Sequence, residues 1–362
     1  MRIPADSDHL WTRRGLIGGA AAAAIAPPAE IRASGDHRPA GIGQIGTEHG
    51  HAAGKMQAMR SLPELWRVAG LVDSSGQARG AAYEGVPRLT EKQLLADATV
   101  RAIAVETPLA EACATAARVL RSGKHVHLDK PGATDHAEFA ALRADAERRG
   151  LILQMGYMLR YNPGVVFLRR AVREGWLGGI MEVEGLMGKP AGEAERAYAA
   201  NLPGGAMLEL GCHLIDVIVD LLGPPAAVHS HRAPTRDDGL PDHQLAVLAY
   251  PRATATVRIN LADPFGNERR RLSVTGTNGT CELLPLESGQ VTLSLKRERG
   301  GFRAGTQTVR LPRKGGRYDG EFTDLALTIR DRGALAWNAA HDIATHRATL
   351  LASGIAVTGA AR

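Results

Sequence analysis

The amino-acid sequence predicts an α/β protein: an N-terminal doubly wound parallel sheet, then a C-terminal α+β domain with a mainly antiparallel sheet. From residue 40 to 156, short apolar runs alternate with segments of helical periodicity, which is typical of a parallel sheet covered by helices. After Tyr157, strand-like runs separated by turns such as Thr277-Asn278-Gly279 favour antiparallel pairing. A chain of 362 residues is long enough for two cores. We place the segments at 1–34, 35–156 and 157–362.

Composition excludes several classes of protein. Hydrophobic residues make up 44% of the chain and charged residues 23%, as in soluble globular proteins. The net charge of +6 is spread out, and short basic clusters are interrupted by acids, so a nucleic-acid partner is not expected. The three cysteines form no C-x-x-C pair, which argues against a disulfide framework or a zinc ribbon.

The first 34 residues have the pattern of an export signal rather than of a folded element. Arg13 and Arg14 precede the short apolar run from Gly18 to Ile25, which is too short to span a membrane. This pattern resembles a twin-arginine (Tat) signal, which implies export of the folded protein, through the Tat machinery, to the periplasm or the medium. The alternative is a chance arginine pair in a tail.

In the N-terminal domain, apolar runs predict five strands and helical periodicity predicts the intervening helices. The predicted strands are 40–45, 65–72, 100–105, a short one around 126–128, and 151–155. The predicted helices are one from about residue 50, then 110–122 and 136–149.

The first strand ends in a glycine turn of the kind that binds a dinucleotide. Gly46 is the first turn glycine, and the following helix would place its N-terminus beside a diphosphate. Glu48 stands where a glycine normally lets the backbone approach the diphosphate, so the motif departs from the usual pattern. Asp73 ends the second strand, where an acid accepts hydrogen bonds from a ribose, and the absence of an arginine directly after it favours NAD over NADP. Asp73 has an alternative role as a turn or helix-capping acid.

Lys130 follows a buried strand and precedes Pro131, which ends the strand. Ligands bind at the carboxyl ends of strands in open α/β sheets, so this lysine is placed at the mouth of a cleft. The alternative is a solvated lysine in a turn. The candidate cofactor-binding residues are Gly46, Thr47, Glu48, His49, Gly50, Asp73, Thr107, Pro108, Asp129 and Lys130.

The second domain is predicted to begin with helices and to continue with strands. The predicted helices are 162–176, one ending near residue 222, 321–330 and 337–353. The predicted strands are 227–231, 243–250, 253–261, 272–275, 291–295 and 306–311.

Three further segments, with the Gly46 turn, resemble the glucose–fructose oxidoreductase and inositol dehydrogenase (Gfo/Idh/MocA) family in order and spacing. They are Gly123-Lys124-His125-Val126 leading to Asp129-Lys130-Pro131, the segment 156–163 (GYMLRYNP), and the segment 204–216 (GGAMLELGCHLID). The resemblance covers the chain from about Arg38 onward. It implies a Rossmann domain that binds a nicotinamide dinucleotide, and a substrate domain for sugars, polyols or their derivatives.

The resemblance also implies residue roles. Lys130 would sit beside the nicotinamide and the substrate hydroxyl, His213 would be the general acid/base, and Glu209 would stand where the family often has aspartate. Arg160 and Tyr161 would contact substrate. A histidine suits removal of a hydroxyl proton, and a nearby lysine stabilises the developing alkoxide. The alternative for His213 is a buried histidine bonded to backbone at a helix start.

Three functions remain open from the sequence. The first is an NAD(P)-dependent oxidoreductase acting on a hydroxyl of a sugar-like molecule. The second is a hydrolase or lyase that uses tightly bound NAD for transient oxidation. The third is a binding protein that has kept the fold and lost the cofactor, and Glu48 is the residue that favours this alternative. We expect a homo-oligomer through the antiparallel sheet, no stable membrane span, and no metal site, because no histidine pair has a complete ligand set in sequence.

Overall fold

Two sheets organise the chain in a computed structural model that describes residues 38–312 and 315–357. The first sheet has five parallel strands: β1 (Ala40–Ile45), β2 (Trp66–Val72), β3 (Val100–Val105), β4 (His125–Asp129) and β5 (Leu153–Gly156). Their spatial order is β2-β1-β3-β4-β5, so the sheet switches direction beside β1. The carboxyl ends of β1, β3 and β4 therefore meet at one edge, where ligands bind in such sheets.

Helices cover both faces of this sheet. They are α1 (Ala52–Ser61), α2 (Glu91–Ala96), α3 (Leu109–Arg121) and α4 (His136–Arg148). Apolar positions three and four residues apart give α3 one buried face, which includes Ala112, Ala116, Val119 and Leu120. The doubly wound parallel sheet expected from the alternating pattern is confirmed.

The second sheet has eight strands. They are β6 (Ile180–Gly188), β7 (Ala227–Ala233), β8 (His243–Ala249), β9 (Thr254–Asn260), β10 (Arg271–Gly276), β11 (Gly279–Leu283), β12 (Gln290–Leu295) and β13 (Gly305–Arg310). The spatial order is β13-β12-β11-β10-β6-β9-β8-β7. All neighbours are antiparallel except β6 and β9. A mainly antiparallel sheet is thus confirmed, with one parallel pair at its centre.

Among the described residues, five further helices follow β5. They are α5 (Pro163–Arg173), α6 (Glu193–Ala200), α7 (Cys212–Leu222), α8 (Asp319–Arg330) and α9 (Ala339–Ala352). Strand residues alternate between buried and more exposed along β8, β9 and β10, so one face of the sheet forms the core. Within the described ranges, no helix has both the length and the apolar composition needed to cross a bilayer.

The last two helices return to the first sheet. Phe322 and Leu325 of α8 join the core formed by Ile42 and Met56, and Trp66 Nε1 donates a hydrogen bond to the Phe322 carbonyl at 2.9 Å. The chain after residue 157 therefore packs against the first sheet as well as forming the second. The predicted segment boundaries stay a prediction. The predicted export signal lies outside the described residues.

Candidate active site

The turn after β1 is closed by Gly46. Its φ is +92°, and a Cβ at this position would lie 2.6 Å from the backbone of Glu106 and Thr107. Only glycine fits such a conformation and such a close approach. Thr107 and Pro108 follow β3 at the same sheet edge, and Pro108 precedes α3 directly. The structure thus brings the predicted glycine turn and these two residues side by side.

The Glu48 side chain takes up one of the backbone N–H donors with which this turn could bind an anion. Its Oε2 accepts a hydrogen bond from the Thr47 backbone N–H at 2.7 Å. A backbone donor in this position is normally available to a diphosphate. The Gly46 turn and the start of α1 fit a dinucleotide, and the Glu48 carboxylate is the feature that opposes it. A bound diphosphate would have to displace this side chain.

Asp73 lies at the carboxyl end of β2 and is held by several donors. It accepts hydrogen bonds from Thr47 Oγ1 at 2.9 Å and from the backbone N–H groups of Gln77 and Ala78, both at 3.1 Å. Partial burial raises the pKa of Asp73, but the hydrogen bonds, led by that from Ala78, lower it below its ordinary value. Arg88 Nη1 lies 3.4 Å from the carboxylate. No arginine follows Asp73 directly in the sequence, but Arg88, 15 residues further along the chain, lies beside it in the structure.

Asp129, at the end of β4, is the centre of a buried polar cluster. Its Oδ1 lies 2.8 Å from Lys55 Nζ, which also pairs with Glu106 Oε1 at 3.0 Å. Its Oδ2 contacts His49 Nδ1 and lies 3.3 Å from His51 Nδ1. Burial raises the pKa of Asp129, but the neighbouring His49 and Lys55 outweigh burial and hold it well below its usual range.

Lys130 and Glu209 form a direct pair between the two sheets. Lys130 Nζ donates to the Glu209 carbonyl at 3.0 Å and also pairs with the Glu209 carboxylate. Burial of Lys130 lowers its pKa, but the Glu209 charge outweighs burial and keeps the amine protonated, above its ordinary pKa. An ammonium has three N–H donors, so a third remains for another acceptor.

His213 is the second residue of α7 and follows an irregular helical turn. The segment from Met207 to Gly211 forms a π-helical turn that leads directly into α7, an irregularity common at functional sites. Buried Gln244 of β8 holds it, because its Oε1 accepts from the Met207 N–H at 2.7 Å and its Nε2 donates to the Gly204 carbonyl at 2.9 Å.

The imidazole of His213 is kept neutral. Burial lowers its pKa well below the ordinary value of 6.5, and the charge of Lys130 lowers it further. Nδ1 is buried and has no hydrogen-bond partner among the residues that the structure describes. The ring packs edge-on against Tyr157, at 6.1 Å between centroids, and lies 6.0 Å from the ring of His51. A neutral, unpartnered imidazole is suited to accept a proton.

Some of these residues line one cavity of about 460 Å³, which lies between the turn after β1 and the second sheet. Glu48, Gly50, His51, Glu209 and His213 line it, whereas Asp73, Asp129 and Lys130 do not. A second hollow of about 570 Å³ lies along β10 to β13 and contains none of the predicted site residues. We therefore place the candidate active site in the first cavity, which holds an acid/base candidate.

The assignment of Arg160 and Tyr161 to substrate binding does not fit the structure. Arg160 is buried and bonds Asp216 through two nitrogens, at 2.9 and 2.7 Å, and Asp342 at 2.6 Å. The Tyr161 hydroxyl donates to Asp324 at 2.7 Å. Neither residue lines the cavity. Both instead join the segment after β5 to helices α7, α8 and α9.

Sequence reasoning missed three members of the site. His51 lines the cavity, and Lys55 and Glu106 support Asp129 from α1 and the end of β3. The sequence did contain a lysine on the first helix and acids at the ends of two strands, and this combination could have indicated the cluster. Its partners are 51 and 74 positions away in the sequence, so only the folded chain brings them together.

Comparison with known proteins agrees with this architecture. Residues 40–157 match a family described as "Oxidoreductase family, NAD-binding Rossmann fold", and residues 165–282 match the GFO/IDH/MocA C-terminal domain. A crystal structure of aldose-aldose oxidoreductase from Caulobacter crescentus, complexed with glycerol, superposes with a TM-score of 0.75 at 22% identity. It covers 88% of this chain and 98% of that one.

Two curated relatives match part of the chain. The dTDP-3,4-didehydro-2,6-dideoxy-alpha-D-glucose 3-reductase of Streptomyces violaceoruber is 31% identical over 176 residues, 46% of this chain and 50% of that protein. The trans-1,2-dihydrobenzene-1,2-diol dehydrogenase of Bos taurus is 28% identical over 167 residues, 46% of this chain and 49% of that protein. The chain thus spans about half the length of these relatives. Because the two family matches together cover more than half of the sequence, the chain belongs to the Gfo/Idh/MocA oxidoreductase family.

Proposed function

We propose that the protein is an NAD(P)-dependent oxidoreductase that acts on a hydroxyl group of a sugar, a polyol or a related small molecule. The observation that carries this proposal is the cavity beside the Gly46 turn, which Glu209 and His213 line and where buried Lys130 pairs with Glu209. Family membership supports it, as do the activities for which the two curated relatives are named, a sugar reductase and a diol dehydrogenase.

His213 is the proposed general base. Oxidation of a secondary alcohol requires removal of the hydroxyl proton while a hydride departs, and a bound NAD(P) supplies the hydride acceptor. The buried imidazole of His213 is neutral and lines the cavity, so it is the candidate to accept that proton. In the reverse direction the same ring returns the proton to a carbonyl oxygen.

Lys130 is the proposed electrostatic partner. Its buried ammonium is held in place by the Glu209 carbonyl and carboxylate, which fixes the direction of the remaining N–H. A fixed positive charge beside a developing alkoxide stabilises that alkoxide without reorganisation. Glu209 acts in this scheme as the residue that positions Lys130.

The state of the cofactor in purified protein tests the proposal. Mass spectrometry of the denatured protein, combined with the absorbance of reduced nicotinamide during a screen of aldoses and polyols, separates three outcomes. Cofactor that exchanges with free NAD(P) and is reduced by a polyol supports the oxidoreductase. Bound cofactor that never exchanges supports transient oxidation in a hydrolase or lyase. A protein that neither contains nor binds a dinucleotide contradicts the proposal and agrees with the opposing Glu48 carboxylate.

We expect NAD to bind more tightly than NADP. The ionised Asp73 carboxylate repels a 2′-phosphate on the ribose, although Arg88 lies beside it. Asp73→Ser removes the repulsion and frees Arg88, so the ratio of the two dissociation constants should shift toward NADP by about tenfold, or 1.4 kcal/mol. Fluorescence titration with both reduced cofactors measures the ratio. Tighter binding of NADPH by the wild-type protein would contradict the expectation.

We also propose Tat-dependent export to the periplasm or the medium, from the Arg13-Arg14 pair ahead of the apolar run. A fusion of residues 1–40 to a reporter that functions only when exported in the folded state should be exported. Replacement of both arginines by lysine should abolish export. Undiminished export of the lysine variant would count against the Tat route.

A homo-oligomer through the second sheet is a further part of the proposal. One face of this sheet is the core, and the opposite face carries polar and partly exposed side chains such as Glu182, Glu184 and Thr256. Light scattering coupled to size exclusion measures the mass of the particle in solution, and a monomer at all concentrations would contradict oligomerisation.

A further inference from the structure

We propose that His49, His51 and Asp129 form a binding site for a divalent transition-metal ion such as Zn²⁺. One nitrogen of each imidazole and one carboxylate oxygen lie within 4.8 Å of one another at the junction of the β1 turn and β4. The inference goes beyond the proposed oxidoreductase activity and does not depend on it. It rests on the orientation of the carboxylate and on the facing nitrogens.

The carboxylate of Asp129 is oriented by its outer contacts. Oδ1 receives the Lys130 backbone N–H at 2.8 Å and lies 2.8 Å from Lys55 Nζ. Oδ2 is thereby directed toward His49 and His51. Asp129 is only 5% exposed, and within the described part of the chain Oδ2 receives no well-aligned hydrogen bond. Support of one carboxylate oxygen by outer contacts, while the other faces two imidazoles, is the outer-shell arrangement typical of a metal ligand.

Both imidazoles present a nitrogen to this oxygen. His51 Nδ1 lies 3.3 Å from Asp129 Oδ2, and His49 Nδ1 contacts the same atom. Imidazoles and carboxylates bind metal ions in their deprotonated forms. A metal ion here would therefore take the place of a proton between Oδ2 and the facing nitrogens.

A further carboxylate lies beside the cluster. Glu209 Oε1 lies 3.9 Å from His49 Nε2, so its carboxylate borders the same space.

The donor set indicates the class of ion. Two imidazoles and one carboxylate are the three protein ligands of several catalytic zinc sites, and the same set binds other divalent transition metals. His51 and Glu209 also line the cavity that contains His213. An open coordination position at this site would therefore face the cavity, where a substrate oxygen can approach.

A second cluster of similar composition shows why the first one is distinctive. Asp216, His341 and Asp342 also bring their ligand atoms within 4.8 Å of one another. There, however, the guanidinium of Arg160 bonds both carboxylates, at 2.7 and 2.6 Å. The cation position of that cluster is filled by the Arg160 guanidinium, whereas Lys55 pairs with Asp129 Oδ1 and leaves Oδ2 facing the imidazoles.

The test is a measurement of metal content and affinity on the full chain without a polyhistidine tag. Elemental mass spectrometry of protein purified without chelator is expected to find an equimolar divalent transition metal. After removal of the metal, calorimetric titration with Zn²⁺ gives the dissociation constant. Co²⁺ titration gives a ligand-field spectrum that reports coordination by nitrogen and oxygen. Circular dichroism of each variant checks that the fold is retained.

His49→Gln and His51→Gln are each expected to weaken Zn²⁺ binding by more than the roughly 10–100-fold typical of outer-shell changes, and to lose the Co²⁺ spectrum. His341→Gln, in the cluster filled by Arg160, should bind as the wild type does. His231→Gln removes an exposed histidine on β7 and should also leave the affinity unchanged. Wild-type protein that binds no ion at equimolar Zn²⁺ or Co²⁺ would overturn the proposal, as would equal affinity in the wild type and both ligand variants.

Discussion

Replacing His213 with alanine is expected to lower kcat on the best substrate of a polyol screen by about 10²–10⁴-fold, the range that a general acid or base contributes. The buried imidazole is the acid/base candidate at the cavity, and its Nδ1 has no partner in the described ranges. Affinity for the reduced dinucleotide should be retained, because His213 belongs to α7 and not to the turn after β1. Steady-state kinetics and fluorescence titration measure the two quantities separately.

Lys130→Met should also lower kcat strongly, because the alkoxide would lose a fixed charge. Its combination with His213→Ala should be little worse than the worse single variant, since groups that act on one hydroxyl are not additive. A neutral imidazole is the base, so the rate falls as pH drops through its pKa. Burial depresses that pKa most and Lys130 next, so loss of Lys130 should move this fall to higher pH.

His231→Ala is the matched control for His213→Ala. His231 is exposed on β7 and contacts none of the proposed machinery. The kinetics of this variant should equal those of the wild type. If His213→Ala retained wild-type kcat on a genuine substrate, the segment from Glu209 to His213 would be only the packed start of a helix.

Local pattern was enough to predict the strands that reach the site. The strands 40–45 and 100–105 were predicted with the bounds that the structure has, because each is a short, mostly apolar run that is buried over most of its length in a parallel sheet. Lys130, directly after β4, was also placed by local pattern, whereas His213 was singled out by the resemblance of its segment to a family motif.

β6 was not predicted, although it lies at the centre of the second sheet. Its sequence combines Glu182, Glu184 and Gly185 with apolar residues, which weakens a strand pattern. The structure supplies the reason for the glycine, because a Cβ at Gly185 would lie 2.9 Å from the Leu214 side chain of α7. A helix pressed against a strand is a long-range contact that no local window contains.

The polar clusters could not be predicted from the sequence for the same reason. Asp129 lies 78 positions from His51, and Arg160 lies 182 positions from Asp342. Sequence alone placed His49 in a turn and Arg160 next to a family motif, and it could not identify the partners of either residue. The partners decide that Arg160 is structural and that His49 borders a candidate metal site.

Arg160→Met is expected to destabilise the protein by about 3–5 kcal/mol, because it leaves the buried carboxylates of Asp216 and Asp342 without their shared cation. The guanidinium also lies 4.8 Å from the ring centroid of Trp337, and that contact would be lost as well. Burial raises the pKa of Asp216, but Arg160 outweighs it and holds the pKa below its ordinary value. This stabilisation is therefore present at neutral pH and disappears only when acid protonates the carboxylate.

Urea unfolding at neutral pH measures this effect, and Arg148→Met provides the matched control. Arg148 pairs with Asp145 at 2.9 Å on the exposed surface of α4, where such pairs contribute about 0–1 kcal/mol. The structural role of Arg160 predicts a large loss of stability, with KM near the wild-type value at a temperature where the variant is folded. A substrate-binding role predicts the reverse, a raised KM with unchanged stability. Because Arg160 contacts α7 and α9 and does not line the cavity, we expect the first result.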